Sequence, residues 1–219
     1  MSKNHRHSRR TWKRFSGADL VISALCITFF VFSAAVVLIL YLRPLYYIDM
    51  GLLRISELSG MSEAAMKENY DILINYNLLW NRGDLVFKGL AMSDQGRIHF
   101  QECKRIFDIV QIICIVTGIG TVITAIRCHK KHDRRPERYA SIMTLVIPVV
   151  LAAIASINFD RFFVAFHHLF FRNDYWLFDP ETDPVILMLP ETFFMHCAIG
   201  IALVIIAGAV VLIRAGRRR

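Results

Sequence analysis

Acidic residues are in short supply in this chain, with 18 Asp and Glu against 26 Lys and Arg, and charged residues of any kind make up only 20% of it. Cysteine is scarce and odd in number: Cys26, Cys103, Cys114, Cys128 and Cys197 include no CxxC pair. A disulfide framework or a four-helix thiol oxidoreductase needs paired cysteines on the outer side of a membrane, and the sequence has none. HExxH and other metal-spaced clusters are missing, so no metal site is expected. The GxSxG elbow, the P-loop and GxGxxG are missing too, which leaves nothing to bind a nucleotide cofactor. No internal repeat or low-complexity segment interrupts the chain.

Apolar residues, by contrast, make up 55% of the sequence, and the mean hydropathy is +0.44. That is too apolar for a soluble domain of 219 residues and points to an all-α polytopic membrane protein. Crossing a hydrocarbon core of about 30 Å takes about 20 helical residues. Four segments qualify, near Ala18–Leu42, Ile106–Ile126, Tyr139–Ile157 and Thr192–Ile213. The first is too long for a signal peptide and lacks a small-residue cleavage site, so it reads as an anchor.

Charge sets the expected orientation. The N-terminal arm, the Arg127–Arg138 loop and the tail carry sixteen of the basic residues and only Asp19, Asp133 and Glu137 as acids, a net +13. The rest of the chain carries a net −5. Basic loops stay in the cytoplasm, so both termini are expected inside. The domain reading follows: a basic cytoplasmic arm over residues 1–17, a four-helix membrane domain over 18–213 with outer-face segments 43–105 and 158–190, and a basic tail over 214–219. These flanks explain the positive balance through contact with anionic lipid headgroups, and no nucleic-acid partner is implied.

The chemistry is expected in the two outer segments. In the first, "ISELSGMSEAAMKENYDILINYNLLW" repeats its apolar residues at helical spacing and reads as an amphipathic helix on the membrane surface or on neighbouring spans. Ser93 fits the N-cap of the second span, which puts His99 one to two turns inside its outer end. An ionisable group at that depth is a functional suspect. The second outer segment contains "FDRFFVAFHHLFF". At about 100° per residue, Phe159, Phe163, Phe166 and Phe170 fall within about 60° of one another, as on an interfacial helix. His167 lies at the edge of that stripe at about 80°, with Asp160 beside it, whereas His168 falls on the watery side at about 180°.

Four blocks then carry a family likeness: "ENYDILINY" (68–76), "HFQECKRIF" (99–107), "FDRFFVAFHHLFFRNDYWLFDPETDPVI" (159–186) and "LPETFF" (189–194). Together they resemble the small four-span bacterial lipoprotein intramolecular transacylases, and the likeness runs through nearly the whole chain beyond Arg43. The resemblance implies a cell-membrane enzyme acting on diacylglyceryl-modified bacterial lipoproteins. An acyl chain moves from the glyceryl ester to the α-amine of the N-terminal lipid-modified cysteine, giving a lyso-form lipoprotein. The family's two histidines fall on His99 and His167, and no role passes to His168. Cys103 departs from the apolar residue expected there.

No cofactor is needed, because histidine can take and give protons near neutrality. His99 is expected as the base and His167 as the acid, although the two can be exchanged. Asn69, Tyr70, Ser93 and Trp176 are candidates for positioning or oxyanion donation, and Asp160, Glu102 and Asp174 for orienting the imidazoles. Two rivals stay open: a membrane hydrolase that uses the same histidines with water, and a scaffold without catalysis.

Overall fold

The computed structural model describes residues 14–217. Most of the basic arm, residues 1–13, and the last two arginines therefore lie outside the described residues. Within them the chain is helical and has no strand: α1 Gly17–Tyr41, α2 Arg43–Leu52, α3 Ile55–Ser59, α4 Glu63–Tyr76, α5 Asp94–Lys131, α6 Arg135–Ile157, α7 Phe159–Phe170, α8 Val185–Met188 and α9 Glu191–Arg217. Helices α1, α5, α6 and α9 are each long and apolar enough to cross a membrane. Their bounds agree with the four expected spans, except that α5 starts twelve residues earlier than its apolar stretch.

Local chemistry sets the breaks between helices. Ser16, Ser62, Ser93 and Asn158 each cap a helix by accepting a backbone N–H three residues on. The stretch 55–80, expected as one amphipathic helix, holds two, α3 and α4. Gly60 takes a left-handed φ of 70° and ends α3, and Ser62 then restarts the chain as α4. His132, at φ 50°, ends α5.

In the membrane bundle α1 packs against α5, α6 and α9, and α6 packs on α9. Glycines let α1 approach closely: a side chain at Gly120 would strike Cys26, and one at Gly208 would strike Val31. The apolar faces turned outward, such as Ile115, Val116, Ile119 and Val122 on α5, are exposed as a lipid-facing surface requires.

One end of the bundle is basic. There Asp133 accepts the backbone N–H of Phe15 and is held by the Arg135 guanidinium at 2.7 Å, while Arg138 donates to the carbonyl of Gly216. At the other end lies the largest buried core, where α2, α4, α8 and the start of α9 meet around Tyr46, Met66, Tyr70, Val185, Met188 and Phe193. Tyr46 and Tyr70 stack with ring centroids 3.9 Å apart, and Tyr46 donates to the carbonyl of Met188.

Helix α5 governs the architecture of that end. Its 38 residues span about 57 Å at roughly 1.5 Å per residue, nearly twice the hydrocarbon core of about 30 Å. The first turns of α5 therefore stand clear of the apolar layer and form a wall. Polar groups just below fasten α4 to it. Lys104 donates to the carbonyl of Leu78 and pairs with Asp108, and Gln111 and Tyr41 both donate to the carbonyl of Asn77. Lys104 and Gln111 thus find partners within the bundle, as the low dielectric demands.

Candidate active site

Three pieces of chain build the site: the first turns of α5, the whole of α7, and the irregular stretch 171–184 that follows it. Ser93 opens α5, accepting from Gly96 N at 2.9 Å and donating its own N–H to the Asp183 carboxylate at 2.8 Å. Asp183 is 3% exposed and also takes the Thr182 hydroxyl. A Cβ at Gly96 would collide with that carboxylate, so glycine is needed where the 179–183 turn meets α5. One turn further along, Glu102 accepts both contacts of the Asn173 amide at 3.1 and 3.2 Å. These tethers press the 171–178 stretch against α5.

His99 and His167 meet across this join. Both are buried, and their ring centroids are 6.1 Å apart. Phe171 lies against both, 4.7 Å from the His99 ring and 5.7 Å from the His167 ring. Trp176 stacks on His167 at 4.5 Å, Phe163 packs on its other side at 4.2 Å, and Phe178 meets His99 edge-on. The result is a dry aromatic box with two imidazoles facing a common space.

The hydrogen bonds distinguish the two rings. His167 Nδ1 lies 2.8 Å from the carbonyl oxygen of Phe163, one turn back on α7. A carbonyl can only accept, so in the neutral ring Nδ1 carries the proton and Nε2 keeps its lone pair. Burial pulls the His167 pKa below the ordinary imidazole value, and the hydrogen bond to Phe163 only partly opposes it. His99 has its Nε2 at 3.4 Å from the Cys103 thiol, and its Nδ1 is buried with no partner. Trp176 Nε1 is likewise buried without a partner. Two orphaned buried polar groups beside one titratable pair are costly in an empty box. They are what a polar substrate would satisfy.

The remaining expected site residues divide by what they touch. Trp176 belongs to the box. Asn69 is 1% exposed, and its amide is fully spent on the backbone of Ala65 and Lys88. Tyr70 is in the α2–α4 core, and Ser93 is a helix cap. None of the three expected carboxylates orients an imidazole. Glu102 holds Asn173, Asp160 faces Glu191, and the exposed Asp174 accepts only through its backbone, from Leu177 N–H. The orienting group for His167 is a main-chain carbonyl, which a sequence does not display. Helical angles did separate the histidines: His167 is buried, whereas His168 is exposed and meets Trp176 only edge-on at 5.6 Å. Among the described residues no three His, Cys, Asp or Glu side chains converge as a metal cage.

Beside the box opens a cleft of about 310 Å³, lined by Phe163, Trp176, Phe178, Leu189, Glu191 and Phe194 among others. Its walls are aromatic and aliphatic apart from the Trp176 N–H and the Glu191 carboxyl. An apolar groove that shares Phe163, Trp176 and Phe178 with the histidine box suits a lipid ester.

Comparisons with known proteins agree with that chemistry. No curated protein matches the chain. Among solved structures, the membrane-integral lipoprotein intramolecular transacylase Lit of Bacillus cereus superposes with a TM-score of 0.87 at 39% identity, covering 89% of this chain and 91% of that one. A variant of that protein with one histidine replaced by arginine gives a TM-score of 0.81, again at 39% identity, over 90% of this chain and 88% of the other. The family model described as lipoprotein intramolecular transacylase Lit matches residues 21–194, so this chain belongs to the lipoprotein intramolecular transacylase family.

Proposed function

We propose that the chain transfers an acyl chain from the 2-position glyceryl ester of a diacylglyceryl-modified lipoprotein to the α-amine of the same lipid-modified cysteine. The observation that carries this reading is the pair of buried imidazoles 6.1 Å apart beside an apolar cleft.

The hydrogen bonds favour exchanging the roles expected for the histidines. His167, neutral and with Nε2 bare, takes a proton from the attacking amine as the C–N bond forms. It returns that proton to the glyceryl oxygen as the C–O bond breaks, so from the neutral amine onward no proton is gained or lost, and an amine that arrives as an ammonium first releases one proton to solvent. When the Cys103 thiol donates to His99 Nε2, His99 carries its own proton on Nδ1. That N–H and the Trp176 N–H are the two unspent donors for the oxyanion. Attack on the 2-position ester closes an eight-membered ring through nitrogen, Cα, Cβ, sulfur and two glyceryl carbons. Such a ring is floppy, and holding nitrogen near the carbonyl carbon is worth about 7–11 kcal/mol in well-oriented cases.

Two further points belong to this reading. The site faces the outer side of the cell membrane with both termini inside, supported by the distribution of basic residues. His99 and His167 are the catalytic pair, supported by their burial and their shared box. Mass spectrometry of lipoprotein N-termini provides the test, in cells lacking other N-acylating enzymes. With the protein present, the acyl chain is expected on the amine and the total mass unchanged. A mass lower by one acyl chain would mean hydrolysis, and unaltered lipoproteins would mean a scaffold.

A further inference from the structure

Glu191, the first residue of α9, is not needed for proton transfer as described above, yet it lines the same cleft as Trp176 and Phe163. Its Oε1 is buried and has no hydrogen-bond partner. Its neighbour is another carboxyl, that of Asp160 on α7. Neither acid takes part in any ion pair among the described residues. Two carboxyls in hydrogen-bond contact without a cation stay together by sharing a proton, and a cation between them takes that proton's place. Trp176, 8% exposed and with its N–H unpartnered, presents the opposite need in the same wall. The cleft is thus lined by two residues with an unsatisfied buried polar atom, the Glu191 Oε1 and the Trp176 N–H.

A free α-amine has an ordinary pKa of about 7.7–8.0 and arrives mostly as an ammonium at neutral pH. It is the one cation that the acyl-transfer reading brings to this cleft. We propose that Glu191, with Asp160 beside it, receives the α-ammonium of the lipid-modified cysteine and selects substrates whose amine is free. This rests on the transacylase reading of the site. Charge-assisted hydrogen bonds hold the ammonium at Glu191, next to the Phe163 and Trp176 rings that enclose His167. The glyceryl ester lies against the apolar walls. A lipoprotein whose amine is already acylated keeps the apolar contacts and loses the charged one, so product leaves more readily than substrate.

The test uses two synthetic lipopeptides, a diacylglyceryl-cysteine peptide with a free amine and its N-acetylated twin. Each is bound at pH 7 to the full chain carrying His167→Ala, so that nothing turns over. The free-amine peptide is expected to bind about tenfold to a hundredfold more tightly, the range for a hydrogen bond to a charged group. Adding Glu191→Gln should bring the ratio close to one while leaving the N-acetylated twin bound as before, which also shows that the variant is folded. A ratio near one without the Glu191 change, or an unchanged ratio with it, overturns the proposal. Should Glu191→Gln bind neither peptide, Asp160→Asn on the exposed partner decides: a reduced ratio supports the site and an unchanged one refutes it. Failure of the transacylase reading looks different, because the unaltered chain would then either leave the free-amine peptide unchanged or release a free acyl chain from it, whatever the binding ratio.

Discussion

At the residue scale, the two adjacent histidines give the sharpest contrast. His167 is buried between Trp176 and Phe163 with Nδ1 tied to a carbonyl, whereas His168 is exposed. Replacing His167 with Ala removes the proton carrier and is expected to lower the rate at least about a hundredfold, the low end for a general base. His168→Ala should stay within about threefold, since surface changes away from buried networks cost little. Lyso-lipoprotein yield at matched protein level reads both, and equal losses would refute the assignment. Burial also predicts a titration: the His167 ring should protonate with a midpoint below the ordinary 6.5, as followed by its ring carbon shifts in NMR. The sign for stability follows from the depressed value. The neutral ring costs nothing above pH 6.5, and the contribution is lost as pH falls through the folded-state midpoint, where a buried charge must form.

Cys103 is a rival nucleophile on geometric grounds, because its thiol stands 3.4 Å from His99 Nε2. A thioester would split the transfer into acylation of the enzyme and aminolysis. Donor and acceptor already share one molecule, however, so holding the acyl group on the enzyme gains nothing. Cys103→Ala should keep activity within about tenfold, the loss of one neutral hydrogen bond that fixes a tautomer. His99→Ala should lose about a hundredfold or more, as for the removal of an oxyanion donor. A folded but inactive Cys103→Ala, together with a hydroxylamine-sensitive acyl group on the unaltered chain, would sink direct transfer.

At the element scale, the tether between α5 and the stretch after α7 decides whether the two histidines face each other. Glu102 accepts from Asn173, and no other side-chain bond joins 171–178 to α5 among the described residues. Asn173→Ala should loosen that stretch by about 1–3 kcal/mol, as for a hydrogen bond to a charged group. The expected signature is faster amide exchange over 171–178 and a several-fold fall in kcat with both histidines intact; unchanged exchange would show that the tether does not hold the loop. The same element shows where sequence reading stops. Periodicity placed the four spans, the aromatic helix and the buried histidine, because each depends on a repeat within one segment. The roles expected for Glu102, Asp160 and Asp174 depended on what lies across the join, and composition does not encode that. Even so, the Ser93 cap was legible, because capping is a local signal, whereas its long-range partner Asp183 was not. Gly60 was an overlooked local signal: a glycine two residues before a serine and an acid marks the end of one helix and the start of the next.

At the scale of the whole molecule, the proposed orientation in the membrane rests on how charge is divided between the ends. Among the described residues the basic end gathers the Arg127–Arg138 loop and the end of α9, and Lys131 reaches the backbone of Arg14 there. Across the bundle lie α2, α3, α4 and α7, where acids outnumber bases and where the box and its cleft open. Anionic lipid in the cytoplasmic leaflet favours each nearby Lys or Arg by about 1 kcal/mol, and the basic regions carry a net +13. A flipped protein would forfeit much of that and expose the aromatic box to the cytoplasm, away from lipoproteins anchored on the outer surface. Single cysteines at Asp84, Asp179 and Lys131, in a chain with its native cysteines replaced, test the arrangement. With a membrane-impermeant maleimide on intact cells, Asp84→Cys and Asp179→Cys should label at once and Lys131→Cys only after permeabilisation. The reverse pattern would put the site inside and remove its substrate. Partial labelling at both ends would mean mixed insertion, which the division of charge is there to prevent.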